Sequence, residues 1–326
     1  MKKISLAIAL ALVALGCSNS RPIDNTDNYE IATWQGFRAT AVSYTFDDNL
    51  PAQFTTAVHL LEKYGFRGTF YPVTNWVTDW EPLRKAANHG HEIGSHTVSH
   101  PNLSELNEDS ARVELELSKA IIEREIGKPC LTIAYPFCAT TNDSLTAQYY
   151  IAARICDKKY TPAIIPNAMR ISSLGVGSES DYIYAQDIRD YFEKGKTKGA
   201  WSVLLIHELD NGNGYSPLTT QALDSTLNYL SQRYEGYWVA PFADVAIYAL
   251  ERESAKIFET RHDDAITISI TTKELPQYVP LTIRRKLPQG WSTVSADKAS
   301  ANLCISDGYV NIDIVPGADV TITKQK

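Results

Sequence analysis

Cysteine is scarce in this chain, with five in 326 residues. Cys17 closes an N-terminal apolar run, which leaves Cys130, Cys138, Cys156 and Cys304. A chain this long with so few cysteines does not depend on a disulfide framework. Buried free thiols are therefore expected, with a Cys138–Cys156 bridge as the conceivable pairing. Basic charge is also in deficit, at 31 Lys+Arg against 38 Asp+Glu, a net charge of −7 that becomes −9 without Lys2 and Lys3. No basic stripe is available to neutralise phosphates, which argues against nucleic acid as a partner. Beyond Leu15 there is no run of about 20 apolar residues of the kind that spans a bilayer. Internal repeats and low-complexity segments are missing too. What remains is 44% hydrophobic and 21% charged, an ordinary globular composition, long enough for one large domain and a small one.

The N-terminus reads as an export signal: Lys2-Lys3, an apolar run from Ile4 to Leu15, then Gly16-Cys17. A small residue directly before a cysteine resembles a bacterial lipoprotein processing site, although Ala14 stands where leucine is usual. The expectation is a signal peptide over residues 1–16, lipidation of Cys17, and a polar tether over residues 17–30. That arrangement implies an exported protein, lipid-anchored in the bacterial cell envelope.

From residue 39 to about 251, strand-like runs (39–44, 68–73, 91–94, 131–135, 171–176, 201–206 and 237–240) alternate with helical patterns (52–64, 105–126, 143–155, 185–193 and 219–233). Repeated β-then-α order predicts an α/β fold with a parallel sheet, which about seven strands close into a distorted (β/α) barrel. From about residue 256 the texture changes to short alternating runs split by Pro, Gly and Asp turns. This predicts a small C-terminal all-β sandwich, whose role is structural or carbohydrate-binding, with Trp291 in its core.

Two motifs stand at predicted strand ends, where barrels of this type gather functional residues. Thr45-Phe46-Asp47-Asp48 ends the first strand, and His96-Thr97-Val98-Ser99-His100 follows Glu92-Ile93-Gly94-Ser95. His-x3-His on one helical turn aims two imidazoles the same way. Two adjacent carboxylates are unfavourable unless a proton or cation compensates them. A divalent metal held by Asp48, His96 and His100 compensates that charge and keeps positions open for water and substrate. Two histidines and one carboxylate also suit a non-haem iron oxygenase, although such a site needs no spare carboxylate.

These residues closely resemble the carbohydrate esterase family 4, the NodB-homology polysaccharide deacetylases, over residues 35 to 250. The first motif is Thr45-Phe46-Asp47-Asp48-Asn49, the second His96-Thr97-Val98-Ser99-His100, and the closing Leu-x-His motif Leu205-Ile206-His207. Trp238-Val239-Ala240-Pro241-Phe242 is similar to the family's last strand-to-helix passage. The resemblance assigns residues 31–255 to the deacetylase barrel and residues 256–326 to an accessory domain. It implies hydrolysis of N-acetyl or O-acetyl groups on a carbohydrate, with N-acetyl favoured over the acetyl xylan esterase alternative. It makes Asp47 the general base and Asp48, His96 and His100 the ligands of a divalent metal, zinc first with cobalt or nickel as alternatives. The Phe137 backbone N–H becomes the oxyanion donor, and His207 the acid for the leaving group.

The departures from the family pattern bear on activity. Asn49 replaces the usual glycine, which suggests a left-handed conformation that asparagine tolerates. Motif three reads Ala134-Tyr135-Pro136-Phe137, without the arginine that orients the catalytic aspartate; Arg170 is the candidate substitute. The partner of His207 is unassigned, with Asp181 and Asp187 as candidates. These gaps leave a catalytically impaired carbohydrate-binding protein as a rival. Trp76, Trp80 and Trp238 are the possible substrate contacts. His91 is expected to be scaffold, and Glu208 to orient the loop beside His207.

Overall fold

The structure is a computed structural model in which residues 28–210, 212–298 and 301–325 are described. The expected signal segment, Cys17 and most of the tether lie outside the described residues. The first described strand, β1 (Tyr29–Ile31), already includes residues 29 and 30 of that tether. It is followed by β2 (Thr40–Asp47), α1 (Val58–Lys63), β3 (Thr69–Tyr71), α2 (Glu81–Asn88), β4 (Glu92–Ile93) and α3 (Glu108–Ile126). Then come β5 (Thr132–Ala134), α4 (Asp143–Thr146), β6 (Ala152–Arg154), β7 (Leu174–Gly175), α5 (Ala185–Thr197), β8 (Trp201–Ile206), α6 (Thr220–Ser231), β9 (Tyr237–Val239) and α7 (Phe242–Ser254).

All eight residues of β2 are buried, as expected of a parallel strand covered on both faces. It pairs in parallel with β8 along its length, with β9 at its start and with β3 at its end. The sheet runs β4-β3-β2-β8-β7, and β5-β6 form a separate parallel pair. Single parallel bridges, Ser95 to Ile133 and Arg154 to Ile171, link that pair to both flanks. The pairing thus returns on itself as a distorted barrel, and the C-terminal ends of β2, β4, β5, β6 and β8 share one rim.

Local signals explain the element boundaries. Helix α3 begins where Asn107 accepts the Ser110 N–H, with Glu108 and Asp109 in its first turn. It stops at Gly127, whose φ of 73° is the left-handed cap that glycine adopts without strain. The helix expected over residues 143–155 is corrected: only Asp143–Thr146 is helical, and the chain then enters strand β6. Ala152 to Arg154 pairs with Thr132 to Ala134, and this long-range ladder overrides a helical local pattern. The strand expected over 171–176 shrinks to Leu174–Gly175.

After α7 come β10 (Lys256–Arg261), β11 (Ala265–Thr271), β12 (Leu281–Lys286), β13 (Val294–Ala296), β14 (Cys304–Ser306), β15 (Tyr309–Ile314) and β16 (Asp319–Lys324). They form two four-stranded antiparallel sheets, β1-β12-β15-β14 and β10-β11-β16-β13. Alternate residues Ile266, Ile268 and Ile270 of one sheet, and Val310, Ile312 and Ile314 of the other, are buried in one cluster with Val245 and Tyr248 of α7. Trp291 packs against the same cluster. Arg285 and Glu259 form a buried ion pair there, Nη2 to Oε1 at 2.9 Å.

Candidate active site

The barrel rim carries the two motifs. Asp47 is the last residue of β2, and the chain then turns through Asp48 (φ 75°) and Asn49 (φ 58°). Asparagine is among the few residues other than glycine that enter this region readily, so it can replace the family's glycine here. The histidine pair does not lie on a helical turn as expected. It lies on a loop with Thr97 at φ 69° and His100 at φ 61°. Glu114 of α3 pins that loop by accepting the N–H of Val98 (2.8 Å) and Ser99 (3.0 Å) and the Ser99 hydroxyl (2.6 Å).

Asp48, His96 and His100 present donor atoms that all lie within 4.8 Å of one another. His96 Nε2 and His100 Nε2 stand 3.7 and 3.8 Å from Asp48 Oδ1, beyond hydrogen-bond range, so the three face a shared space. His96 Nδ1 donates to the Ala134 carbonyl at 2.7 Å, which leaves the Nε2 lone pair for a ligand. Burial pushes His96 down to about 4 and also lowers His100, so both imidazoles are neutral at pH 7. Burial and the adjacent Asp47 push Asp48 up to about 7, and its Oδ1 is buried without a hydrogen-bond partner among the described residues. A carboxylate this poorly compensated, opposite two neutral imidazoles, is a donor set that lacks a positive charge. These three residues fit a divalent metal.

Asp47 also borders that group, its Oδ2 3.8 Å from His96 Nε2, but it is engaged by a different partner. Its Oδ2 accepts Arg154 Nη2 at 2.5 Å, and both side chains are 2% exposed. Arg154 Nη1 donates to Thr45 Oγ1 (2.8 Å), Thr45 donates to the Leu204 carbonyl (2.6 Å), and the guanidinium carbon lies 5.4 Å from the Tyr71 ring centroid. Burial alone would raise the Asp47 pKa, but Arg154, His96 and His207 outweigh it, and the carboxyl is held below its usual range. Gln53 Nε2 donates to the carbonyls of both Asp47 (2.5 Å) and His207 (2.8 Å), locking the ends of β2 and β8 together.

Arg154 replaces the expected Arg170, which instead pairs with Asp143 at 2.9 Å on the surface. Arg154 lies in a segment whose local pattern is helical, so its place in strand β6 is not evident from its neighbours. Pairing of β6 with β5 is what carries it to the rim. His207 Nε2 lies 4.0 Å from Asp47 Oδ2, and its buried Nδ1 has no hydrogen-bond partner among the described residues. Neither proposed partner reaches it: Asp181 stands 3.9 Å from Lys158, and Asp187 accepts the Tyr184 N–H at the start of α5.

Phe137, at φ 54°, stacks edge-on against His100 with centroids 4.6 Å apart. The next residue, Cys138, is bridged to Cys156, Cα to Cα 5.6 Å, which corrects the expectation of free thiols there. Cys130 is free and buried as expected, whereas Cys304, on edge strand β14, is exposed. The bridge, the triad, Asp47 and His207 line a cavity of about 600 Å³.

The three tryptophans separate. Trp76 is 48% exposed and lies 5.1 Å from the His100 ring. Trp80 packs against the barrel core beside α2. Trp238 is 7% exposed, between Trp34 (6.5 Å) and Tyr248 (5.1 Å), and this excludes it as a substrate contact. It pairs with Ala41 near the start of β2, at the opposite end from Asp47. His91 is buried scaffold whose Nδ1 accepts the Gly68 N–H, and Glu208 accepts the N–H groups of Leu209 and Gly214, as expected of a loop anchor.

Comparison with known proteins agrees with this geometry. Residues 35–154 match the polysaccharide deacetylase family. The chain is 31% identical to a gellan lyase of a Bacillus species over 319 residues, which is 88% of this chain and 13% of that protein. It is 31% identical over 108 residues to the peptidoglycan-N-acetylglucosamine deacetylase of Bacillus cereus, covering 32% of this chain and 39% of that one. The chain thus spans well under half the length of these curated relatives. A crystal structure of a candidate polysaccharide deacetylase from Mycobacterium smegmatis shares the fold, with a TM-score of 0.53 at 17% identity, over 66% of this chain and 92% of that one. Asp47, Asp48, His96, His100 and Arg154 all lie inside the matched residues, so residues 35–154 carry a polysaccharide deacetylase domain.

Proposed function

We propose that this protein is a metal-dependent hydrolase that removes acetyl groups from a carbohydrate, N-acetyl in preference to O-acetyl. The observation that carries this reading is the division of two adjacent carboxylates. Asp48 faces the two histidines, whereas Asp47 is clamped by Arg154 and kept for proton transfer. A divalent ion held by Asp48, His96 and His100, zinc before cobalt or nickel, supplies Lewis acidity and makes water acidic enough to attack near neutral pH.

The chain's own groups do the rest. Arg154 occupies Asp47 Oδ2, so Oδ1, buried and unpartnered, is the atom that takes the proton from attacking water. The Phe137 backbone N–H donates to the developing oxyanion. His207, across the pocket from the triad, protonates the departing amine or alcohol through Nε2. Trp76, exposed beside His100, is the tryptophan placed to meet substrate, whereas Trp80 packs on the core.

Domain organisation and location belong to the same proposal. Residues 31–255 form the catalytic unit, with seven strand positions in the barrel, and residues 256–326 a β-sandwich accessory domain. Cys17 carries the lipid that anchors the protein in the bacterial cell envelope.

Acetate release from N-acetylglucosamine oligomers and from acetylated xylan, before and after chelation and zinc addition, tests the reading. Release that chelation abolishes and zinc restores is expected, and full activity of Asp47→Asn would remove the assigned base. The unpartnered His207 Nδ1 favours a second reading, a glycan-binding protein without turnover, which predicts oligosaccharide binding with no acetate released. Iron as purified, with oxygen uptake, would replace both readings by an oxygenase.

A further inference from the structure

Tyr215 is absent from the family motifs, yet it lies over the proposed leaving-group acid. Its ring is 61% exposed and stands edge-on to His207, centroids 5.0 Å apart and planes at 85°. It lines the same cavity as the triad. The backbone on both sides of this exposed ring is fastened. Before it, Glu208, 4% exposed, accepts the N–H of Gly214 at 3.3 Å and that of Leu209 at 2.8 Å. A Cβ at Gly214 would come within 2.4 Å of Leu50 Cδ1 and 2.9 Å of Glu208 Cβ, so the chain passes close against both side chains there. After it, the Ser216 hydroxyl accepts the Glu179 N–H at 3.1 Å, and the Pro217 carbonyl accepts the Ser178 N–H at 3.1 Å.

We propose that Tyr215 is the stacking platform for the pyranose ring that carries the scissile acetyl group, and so determines glycan selectivity. This rests on the hydrolase reading above. The acetyl carbon must sit between the triad and Asp47, and the departing nitrogen or oxygen must face His207. The sugar ring bonded to that atom then lies on the His207 side, where Tyr215 presents its ring. Phe137, 68% exposed, stands against His100 on the triad side and lines the same cavity, opposite in role to Tyr215 beside His207. The apolar C–H faces of a pyranose suit such rings, and an aromatic ring of this size offers substantial area for little entropy.

The test compares wild type, Tyr215→Phe and Tyr215→Ala. Calorimetry measures binding of the β-1,4-linked N-acetylglucosamine tetramer and of acetylated xylo-oligosaccharides, and acetate release measures turnover. The ratio of oligosaccharide to 4-nitrophenyl acetate kcat/KM reports selectivity. Tyr215→Ala should weaken oligosaccharide binding and raise KM by about tenfold, the equivalent of one modest contact, with kcat little changed. Tyr215→Phe should stay near wild type, and thermal melts of all three should coincide. Unchanged oligosaccharide KM and affinity in Tyr215→Ala overturns the proposal while leaving the hydrolase reading in place, as does an equal loss on 4-nitrophenyl acetate. Binding of neither oligosaccharide by wild type also overturns it. Binding that Tyr215→Ala weakens, without acetate release by wild type, supports the platform and removes the hydrolase reading instead.

Discussion

Replacing Arg154 by methionine isolates the electrostatic core of the site. Methionine retains much of the aliphatic stem but removes the guanidinium, and Asp47 is then left 2% exposed with no cation bonded to it. Breaking a buried pair by removing one partner costs about 3–5 kcal/mol, because the remaining charge stays desolvated. The lost bond to Thr45 adds to that. In chelator-treated protein, where no bound ion compensates, Arg154→Met should lose about that much in urea unfolding. Asp47→Asn should also destabilise, since it leaves Arg154 buried and unopposed. The double variant removes both charges and should be more stable than the two losses predict, by about 1–3 kcal/mol of coupling. Activity should report the same physics. Burial raises the Asp47 pKa once Arg154 is gone, so the acid limb of the kcat/KM profile of Arg154→Met moves to higher pH. Losses that add within about 0.5 kcal/mol, together with an unmoved acid limb, would refute the argument.

Other outcomes follow from single contacts. Reducing the Cys138–Cys156 bridge, or replacing both residues by serine, should cost about 3 kcal/mol by loop-closure entropy, read by guanidinium unfolding, and lower kcat through the Phe137 loop. Glu114→Gln weakens the acceptor that holds the Val98 and Ser99 amides, so zinc affinity measured by competition with a chelator should fall about 10-fold or more, although Glu114 touches no metal. Burial would raise the Glu259 pKa, but bonds from Arg285, Tyr29 and Arg261 hold it down at about 2. Its contribution to stability is therefore complete above the ordinary value of 4.5 and fades as pH falls toward 2. The stability gap between wild type and Glu259→Gln should narrow over that window, and a constant gap would contradict the assignment.

The strand-end positions of Asp47, Asp48, His96 and His100 were legible because short-range chemistry governs them. An apolar run ending in two carboxylates, and two histidines after a second such run, leave few other uses for those residues. Asn49 was legible in the same way, as a residue that tolerates the positive φ of 58° the turn imposes. The alternating isoleucines of Ala265–Thr271 likewise announced a strand with one buried face. Arg154 was not legible. Its neighbours have acceptable helix propensity, and only pairing with Thr132–Ala134, far away in the chain, turned the segment into a strand and brought the guanidinium to Asp47. Trp238 failed for a related reason: whether a tryptophan meets the rim or the opposite end of the barrel depends on strand register.

Residue order alone therefore settled the chemistry on offer, a carboxylate–imidazole set with a spare acid on an alternating β/α chain. Strand pairing settled which charge opposes that acid, which cysteines meet, and which aromatic rings border the cavity. Ligand types and turn preferences are properties of a few neighbouring residues, whereas a buried ion pair forms only between groups that separate parts of the chain carry to one place.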